Sequence, residues 1–450
     1  MGGVTSCFGE RDTRRRSLDT LKHSSQEEST FSLTELPCRF TYTTESTNIT
    51  EHRQCGKGTF GIVHEALEST QEHPSISRKI ATKRSAKDKE HKALQNERNI
   101  LCSLDHPHIV RIFCFTSATP PAQVMELCTG GELFSIISSQ GSLPDNTARD
   151  YFRQILLALN YLHSVMRIVH RDLKPENILL CPNRKVVKLC DFGTAVRLPS
   201  GRGSKANGRI GSLSYAAPEV YKSAISDFSS DMWSAGVLLY VMMCAASPFR
   251  NSDDSNPEEA AVERVKRGNL NTKRPRWKQM SEGPKKLILK LLQVDSDCRL
   301  TAREALQDPW IATHSDRDYL VQLGKEVTPA IDMFLDIEDP DTRSVWMCLA
   351  SQMGDWERAR NIFEVLDSDC DGVLGFGDLS LCGYPVSVDK TFLSYSEFVA
   401  AMLMHSPVTQ RAEIIKEVVP FAFKAMGSDP AILDLACFQR LTCTDIQRST

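Results

Sequence analysis

Hydrophobic and polar positions divide the chain into four stretches. Residues 1–47 are rich in Ser, Thr, Arg and Glu and have no sustained apolar period, which is typical of a mostly disordered extension. Over residues 48–311 strand-like and helix-like patterns alternate, so we expect an α+β domain. Residues 312–355 have some helical character and are interpreted as a connector. Over residues 356–450 short amphipathic stretches flank polar loops, which predicts an all-α domain of helix-loop-helix units.

The most apolar stretch, residues 235–246, is too short to cross a bilayer core roughly 30 Å thick, so we expect a buried helix. No secretory signal opens the chain, and its 15 cysteines include no C-x-x-C pair. We therefore expect a reduced, cytoplasmic setting without a zinc site or a disulfide framework. The formal net charge of −3 gives no reason to expect nucleic acid as a partner.

Residues 170–177 read HRDLKPEN, and a DFG triplet begins at Asp191. Phosphoryl transfer needs one carboxylate to orient the attacking hydroxyl group and another to hold a metal ion on the phosphates. We assign the first role to Asp172 and the second to Asp191, with Asn177 as a further magnesium ligand. Lys174 is expected to neutralise the transferring phosphate. An accidental pair of structural loops is the alternative, but eight residues in register with DFG are close to diagnostic.

A glycine-rich segment, residues 56–63, reads GKGTFGIV and matches G-x-G-x-x-G-x-V. Gly56, Gly58 and Gly61 would let the backbone close over phosphate oxygens, where a Cβ atom would obstruct the approach. A simple hairpin turn would fit these residues equally well. The assignment therefore depends on the segments that follow.

Lys83 lies one strand later and is placed to pair with the α- and β-phosphates of ATP. Lys79 competes for this role, but it lacks the small residue two places before it that packs on adenine. Glu97 is interpreted as the carboxylate that holds Lys83, and a glutamate on a helix surface is the alternative. Further along, Glu219 in an APE triplet and Arg299 are expected to form a buried, structural ion pair.

These motifs together resemble the eukaryotic protein kinase family over residues 48–311. Residues 104–107, 124–132 and 309–311 are similar to its calcium/calmodulin-dependent group in particular. The resemblance implies a two-lobed fold with ATP and Mg²⁺ in the cleft between the lobes. It also implies that backbone groups of Glu126 and Cys128 in the hinge bind adenine. The apolar side chains that would sandwich the adenine ring are Val63, Ala81 and Leu179.

The catalytic segment resembles the serine/threonine type of kinase because it contains Lys-Pro-Glu. Glu132 and Glu176 are similar to acidic residues with which such kinases recognise a basic residue before the target. Solvated surface carboxylates are the alternative for both. Ser212 stands where threonine is usual in this family, and its hydroxyl group is expected to contact Asp172.

Residues 367–378 read DSDCDGVLGFGD and match the calcium loop of an EF-hand, with Gly372 at the sharp turn. Asp378 stands where a longer glutamate normally chelates, so weaker calcium binding or a shift towards magnesium is expected. A polar turn without metal is the alternative. The expected calcium ligands are Asp367, Asp369, Asp371, Val373 through its carbonyl, and Asp378.

Two later segments resemble worn EF-hand loops. Residues 386–397 keep the closing half of such a loop with Glu397, but the opening half, residues 386–390, lacks the set of carboxylates. Around residues 427–430 the ligands are missing and Pro430 interrupts the pattern. We expect both segments to be structural partners of the first loop that hold no metal.

A kinase domain followed by EF-hands resembles the calcium-dependent protein kinase family over nearly the whole chain. In that family the connector carries a pseudosubstrate-like helix that blocks the cleft until calcium binds. Here the corresponding residues, 327–352, are acidic where a basic helix is expected. Autoinhibition by this route is therefore a hypothesis.

The N-terminus fits the pattern for myristoylation at Gly2, with Cys7 within reach for palmitoylation and residues 14–16 all arginine. One acyl chain binds membranes only marginally, so the second signal would make the anchoring stable. An unmodified tail is the alternative.

The leading hypothesis is a monomeric, calcium-responsive kinase that phosphorylates Ser or Thr of protein substrates at the cytoplasmic face of a membrane. One alternative is a nucleotide-binding pseudokinase that acts as a scaffold. Another is a kinase whose decayed sensor no longer responds to calcium.

Overall fold

The computed structural model describes residues 42–44, 47–58, 61–70, 75–84, 91–116, 121–199, 205–207, 211–251, 254–312, 317–338, 340–384, 392–407, 411, 414, 417–418 and 421–422. The strands in this part of the chain are β1 Tyr42–Thr44, β2 Thr47–Gly58, β3 Gly61–Thr70, β4 Ser77–Arg84, β5 Ile112–Thr116, β6 Ala122–Glu126, β7 Gly131–Glu132, β8 Ile168–Val169, β9 Ile178–Leu180, β10 Val187–Leu189, β11 Val196–Arg197, β12 Ala206–Asn207 and β13 Ile225–Ser226. The helices are α1 His91–Leu101, α2 Leu133–Gln140, α3 Asp145–Asn160, α4 Pro218–Ser223, α5 Phe228–Cys244, α6 Pro257–Arg267, α7 Pro275–Gln279, α8 Glu282–Leu291, α9 Ala302–Leu306, α10 Arg317–Leu335, α11 Pro340–Gln352, α12 Glu357–Leu366, α13 Phe376–Leu381 and α14 Tyr395–His405.

The first lobe is built on a six-stranded sheet with the order β1-β5-β6-β4-β3-β2. Its strands are antiparallel except β1, which pairs in parallel with β5. The pairing of β1 corrects the boundary expected at residue 48, since a regular element begins inside the segment interpreted as disordered. Tyr42–Thr44 consists of aromatic and β-branched residues, which favour a strand, but three residues are too few to show a period.

The second lobe is mainly helical and is organised around α5, whose side chains are almost all buried. This helix contains most of the apolar stretch at residues 235–246, so the expectation of a buried helix is confirmed. Asp227 begins the helix with a capping box, because its side chain and that of Ser230 each bond the other residue's backbone N–H. Gly236 lets α8 approach closely, since a Cβ atom there would lie 2.8 Å from Leu291 Cβ.

Helices α10 to α14 share one hydrophobic core. Val327, Ala330, Ile331 and Phe334 on α10 are fully buried in it, together with residues of α12 and α14 such as Phe363 and Phe398. Helices α10 and α11 of the segment interpreted as a connector, residues 312–355, therefore fold with the C-terminal helices, and in the described residues the core continues across residue 355. The spacing of these four positions, i, i+3, i+4 and i+7, is that of a single buried helix face.

Candidate active site and candidate metal loop

Lys83 on β4 forms ion pairs with carboxylates from two other segments that line the cleft. Its ammonium group lies 2.7 and 2.9 Å from the carboxylate oxygens of Glu97 on α1 and 2.9 Å from Asp191 Oδ1. Burial opposes the charge, yet Glu97 and Asp191 raise the pKa of Lys83. The ammonium group therefore stays charged. The Lys83–Glu97 pair expected from the sequence is present, whereas the competing Lys79 is exposed on the same strand.

Asp172 lies at the centre of a second group of polar side chains. Lys174 Nζ donates to Asp172 Oδ2 over 2.7 Å, and Asn177 Nδ2 donates to the same oxygen over 3.1 Å. Burial acts to raise the pKa of Asp172, but the hydrogen bond from Lys174 outweighs it and lowers this pKa. The carboxylate is thus ionised and can accept a hydrogen bond from a substrate hydroxyl group, but it is a weak base.

Ser212 contacts this group in a different way from that expected. Its hydroxyl group lies 2.9 Å from Lys174 Nζ, and its backbone N–H donates to Asp172 Oδ1 over 2.7 Å. The predicted contact to Asp172 is therefore made by the backbone. Gly211 precedes it with φ +93°, and a Cβ atom there would lie 2.1 Å from the Arg171 carbonyl oxygen. Only glycine fits this approach, and the sequence analysis did not single it out.

Asp231 fixes the backbone of the catalytic segment, a role that the sequence analysis missed. Its carboxylate accepts hydrogen bonds from the backbone N–H groups of His170 and Arg171 over 2.8 and 2.9 Å, and from His163 Nε2 over 2.9 Å. Burial works against ionisation, but the hydrogen bond from His163 lowers the pKa of Asp231. Asp231 lies in the first turn of α5 in the pattern DMWS, and that acidic position near a helix start was the signal available.

The described residues of the glycine-rich segment form the end of β2 and the start of β3. Gly56 pairs with Val63, and Val63 in turn pairs with Lys83 across the sheet. Gly58 pairs with Gly61, and a Cβ atom on Gly61 would lie 2.4 Å from the Arg84 carbonyl oxygen. Gly61 is therefore required by close packing of the sheet as well as by any approach of phosphate.

The residues expected around adenine lie on both sides of the cleft. Ala81 on β4 is buried, and Leu179 on β9 is half-buried opposite Glu132 of β7. The Glu126 N–H is committed to the Arg111 carbonyl over 2.9 Å, so that group is not available to a ligand. Cys128 follows at the hinge and is half-buried.

Two glutamates lie together near the mouth of the cleft. Burial, followed by the nearby carboxylate of Glu176, raises the pKa of Glu132. Glu176 Oε2 is buried and has no hydrogen-bond partner among the described residues. A buried carboxylate oxygen without a donor is unfavourable, so this pair favours a cationic group of a ligand.

The Glu219–Arg299 pair is present as the sequence predicts. The guanidinium donates to the two carboxylate oxygens over 2.8 and 3.1 Å, and the Arg299 side chain is fully buried. Burial acts to raise the pKa of Glu219, but the hydrogen bond from Arg299 outweighs it and lowers this pKa. The pair connects α4 with the turn after α8 and lies apart from the reacting groups.

Asn177 and Asp191 fit a magnesium ion by the chemistry of their donors. Asn177 uses its amide nitrogen for both bonds to Asp172, which turns its amide oxygen away from that carboxylate. Asp191 has φ +62° and keeps part of its carboxylate exposed while one oxygen accepts from Lys83. Oxygen donors of this kind are those that Mg²⁺ prefers.

Three carboxylates of the candidate calcium loop converge. Asp367, Asp369 and Asp371 each offer an oxygen within 4.8 Å of the others. Burial, followed by repulsion from Asp369, raises the pKa of Asp371 to about 7. Burial and repulsion from Asp371 likewise raise the pKa of Asp367. The arrangement concentrates negative charge in a way that a divalent cation would relieve.

Asp378 is oriented differently from these three side chains. Its Oδ1 accepts from the Ser368 N–H over 2.8 Å, and its Oδ2 accepts from the Gly375 N–H over 2.9 Å. The Asp378 side chain therefore closes the loop by accepting from backbone N–H groups, and it is not part of the converging group. Gly372 has φ +85°, as expected for the sharp turn, and Val373 is buried.

The second, worn loop is described only in its closing half. Leu374 and Leu393 exchange two backbone hydrogen bonds of 3.0 Å, which join the two loops as a short antiparallel bridge. The pairing of the worn loop with the first loop is therefore confirmed. Glu397 Oε2 accepts from the Ser394 N–H over 2.9 Å, as in a capping box at the start of α14. Residues 385–391 and 423–450, with the third expected loop, lie outside the described residues.

The lipidation sites Gly2 and Cys7 also lie outside the described residues. Among the helices that the structure describes, none combines the length and the apolar composition that crossing a membrane requires.

Comparison with known proteins identifies relatives of this chain. The protein kinase domain family model matches residues 49–311. Calcium-dependent protein kinase 10 of Arabidopsis thaliana is 31% identical over 406 residues, which cover 85% of this chain and 72% of the relative. The calcium/calmodulin-dependent protein kinase cmkA of Emericella nidulans is 38% identical over 276 residues, 60% of this chain and 64% of the relative.

Calcium-dependent protein kinase 3 of Plasmodium berghei is 36% identical over 258 residues, which cover 57% of this chain. The match spans 45% of that relative's length. This chain therefore spans about half to two thirds of the length of the last two relatives.

Proposed function

We propose, from the premise that this chain belongs to the protein kinase family and within it to the calcium-dependent protein kinases, that it transfers the γ-phosphate of ATP to Ser or Thr of protein substrates. The observation that carries the proposal is the junction at Lys83, which holds Glu97 of one lobe and Asp191 of the other within 2.9 Å. Such a junction binds phosphate only when both lobes are in place.

The side chains have distinct roles in this reaction. Lys83 holds the α- and β-phosphates, and Asp172 accepts the hydrogen bond that orients the substrate hydroxyl group. Lys174, already 2.7 Å from Asp172, balances charge on the transferring phosphate. Asn177 and Asp191 would hold Mg²⁺, which neutralises charge on the phosphate oxygens.

The rival hypothesis of a pseudokinase scaffold is tested by phosphate transfer to a basic serine peptide. Asp172→Asn keeps the shape of the side chain but removes the charge, and the rate should fall by on the order of 10²-fold or more. Asp336→Asn makes the same change at an exposed position just after the end of α10 and should leave the rate unchanged. Equal rates for wild type and Asp172→Asn would end the enzyme hypothesis.

The proposed substrates carry a basic residue before the target. The support is the unpaired, buried oxygen of Glu176 and the raised pKa of Glu132 beside it. Glu132→Gln and Glu176→Gln should raise KM for an arginine-containing peptide and leave KM for its alanine analogue unchanged. A uniform change for both peptides would contradict this specificity.

Calcium is the proposed regulator, bound by residues 367–378. The support is the convergence of Asp367, Asp369 and Asp371, together with the names of the relatives. The rival here is a kinase whose sensor has decayed. Turnover with excess calcium should differ from turnover with a chelator, and Asp367→Ala should abolish the difference. The same turnover in both conditions would remove the regulatory proposal.

Anchoring at the cytoplasmic face of a membrane is proposed from the N-terminal sequence alone. Gly2 and Cys7 provide two acylation positions, and residues 14–16 add positive charge. Incorporation of a myristate analogue in wild type, and its loss in Gly2→Ala, would support the proposal. Equal recovery of both proteins in the soluble fraction would contradict it.

A further inference from the structure

Two cysteines meet where the hinge between the lobes passes β9. Cys128 lies in the hinge and is half-buried, and Cys181 directly follows β9 and is buried. Their side chains share a hydrogen bond. The Gly130 N–H donates to the Leu180 carbonyl over 2.9 Å, and a Cβ atom on Gly130 would lie 2.3 Å from the Cys181 carbonyl oxygen. This close backbone pairing keeps the two thiols near each other.

The environment of Cys181 favours the thiolate form of its side chain. The hydrogen bond from Cys128 lowers the pKa of Cys181 although burial opposes it, and the Lys188 ammonium group adds to the lowering. Lys188 is held in place by Glu126, since Lys188 Nζ lies 3.0 Å from Glu126 Oε1. Burial raises the pKa of Cys190, by contrast. The thiolate is the nucleophilic form of cysteine, so Cys181 is the reactive member of the pair.

We propose that Cys128 and Cys181 form a redox-sensitive pair, which hydrogen peroxide joins as a disulfide and which thiols such as glutathione reduce again. The Cys181 thiolate attacks one peroxide oxygen, the O–O bond breaks and hydroxide leaves, so that Cys181 becomes a sulfenic acid. The Cys128 sulfur then attacks the Cys181 sulfur, an S–S bond forms and water leaves. The hydroxide takes up the proton that Cys181 had released, so two thiols and one peroxide give one disulfide and two waters.

The disulfide changes the hinge because two bonded sulfur atoms lie only about 2.05 Å apart, closer than in a hydrogen bond. Cys181 resists displacement, since its N–H donates to the Val186 carbonyl over 2.9 Å and its carbonyl accepts from the Arg184 N–H over 2.9 Å. The movement therefore falls mainly on Cys128, whose backbone is expected to bind adenine. Oxidation of the pair thus weakens ATP binding, a consequence that rests on the proposed ATP-dependent function.

Peptide mass spectrometry of the full chain under non-reducing conditions tests the disulfide. After brief exposure to hydrogen peroxide, wild type should yield a cross-linked peptide pair that contains Cys128 and Cys181 and weighs two hydrogen atoms less than the separate peptides. Dithiothreitol should remove this pair. Cys298→Ser changes an exposed cysteine and should yield the same pair, whereas Cys181→Ser should not. A wild-type chain in which Cys128 and Cys181 stay unlinked would overturn the inference.

Calorimetric titration with ATP measures the consequence without any turnover. Peroxide should raise the ATP Kd of wild type and of Cys298→Ser about tenfold, because a small displacement of a binding group is costly, and dithiothreitol should restore it. The Kd of Cys181→Ser should not respond to peroxide. An equal Kd for oxidised and reduced wild type would overturn the effect on ATP. A chain that forms the disulfide and thereby binds ATP more weakly, but transfers no phosphate when reduced, would contradict the proposed function alone.

Discussion

At the scale of single residues, the cleft depends on side chains whose charge is set by their neighbours. Lys83 stays charged despite burial because Glu97 and Asp191 are its partners. The carboxylates of the calcium loop show the opposite effect, since burial and mutual repulsion raise the pKa of Asp367 and of Asp371. Phosphate and a divalent cation are the ligands that these two arrangements favour, respectively.

We expect that no other cationic side chain can replace Lys83. Lys83→Arg keeps the charge, but the planar guanidinium cannot place one compact group against two carboxylates. We expect kcat for a serine peptide to fall on the order of 10²-fold. Lys79→Arg, on the exposed face of the same strand, is the matched control and should retain full activity. Comparable activity in the two variants would show that Lys83 does not hold the phosphates.

The raised pKa of Asp371, about 7, predicts how the metal-free chain responds to pH. The folded state binds this proton more tightly than the unfolded state, so stability decreases as the pH rises from about 4 to 7. The thermal midpoint measured in chelator should therefore fall over this window less steeply for Asp371→Asn than for wild type. Identical slopes would mean that the carboxylate titrates normally.

At the scale of elements, distant parts of the chain meet through buried polar pairs. Asp231 at the start of α5 holds the backbone of His170 and Arg171, and Arg299 holds Glu219 of α4. Each pair joins segments far apart in sequence. Motif spacing predicted the Glu219–Arg299 pair, but the role of Asp231 depends on a close approach that no local pattern contains.

Removal of Arg299 should reduce the stability of the fold, because the Glu219 carboxylate would stay partly buried without its cation. We expect Arg299→Ala to lower the free energy of unfolding by roughly 3 to 5 kcal/mol in denaturant titrations. Arg267→Ala, at an exposed position on α6, should change it by less than about 0.5 kcal/mol. A loss below about 1 kcal/mol for Arg299→Ala would contradict a structural role for the pair.

The element that sequence analysis interpreted differently is α10. Its acidic residues drew attention to a possible inhibitory helix, whereas Val327, Ala330, Ile331 and Phe334 form a buried stripe in the C-terminal core. The stripe is readable in the sequence by its helical spacing. What the sequence does not contain is the identity of the surface that the stripe packs against.

At the scale of the whole molecule, the motifs defined the site well because phosphoryl transfer demands fixed residue types in fixed order. Lys83, Glu97 and Asp191 were identified from their motifs and lie within hydrogen-bonding distance in the fold. Gly211 was missed because its need for glycine arises from the Arg171 carbonyl, 40 residues away in sequence. The orientation of Asp378 depends likewise on bonds to Ser368 and Gly375 that loop spacing alone does not specify.

Magnesium-dependent phosphate transfer by the full chain tests the central claim most directly. Initial rates of transfer from ATP to a basic serine peptide should rise with Mg²⁺ and saturate in wild type. Asp191→Asn should lose at least about 10²-fold of this rate at every magnesium concentration, because the carboxylate that would hold the ion is gone. A variant that transfers phosphate as fast as wild type, or a wild-type rate that is indifferent to magnesium, would contradict the account.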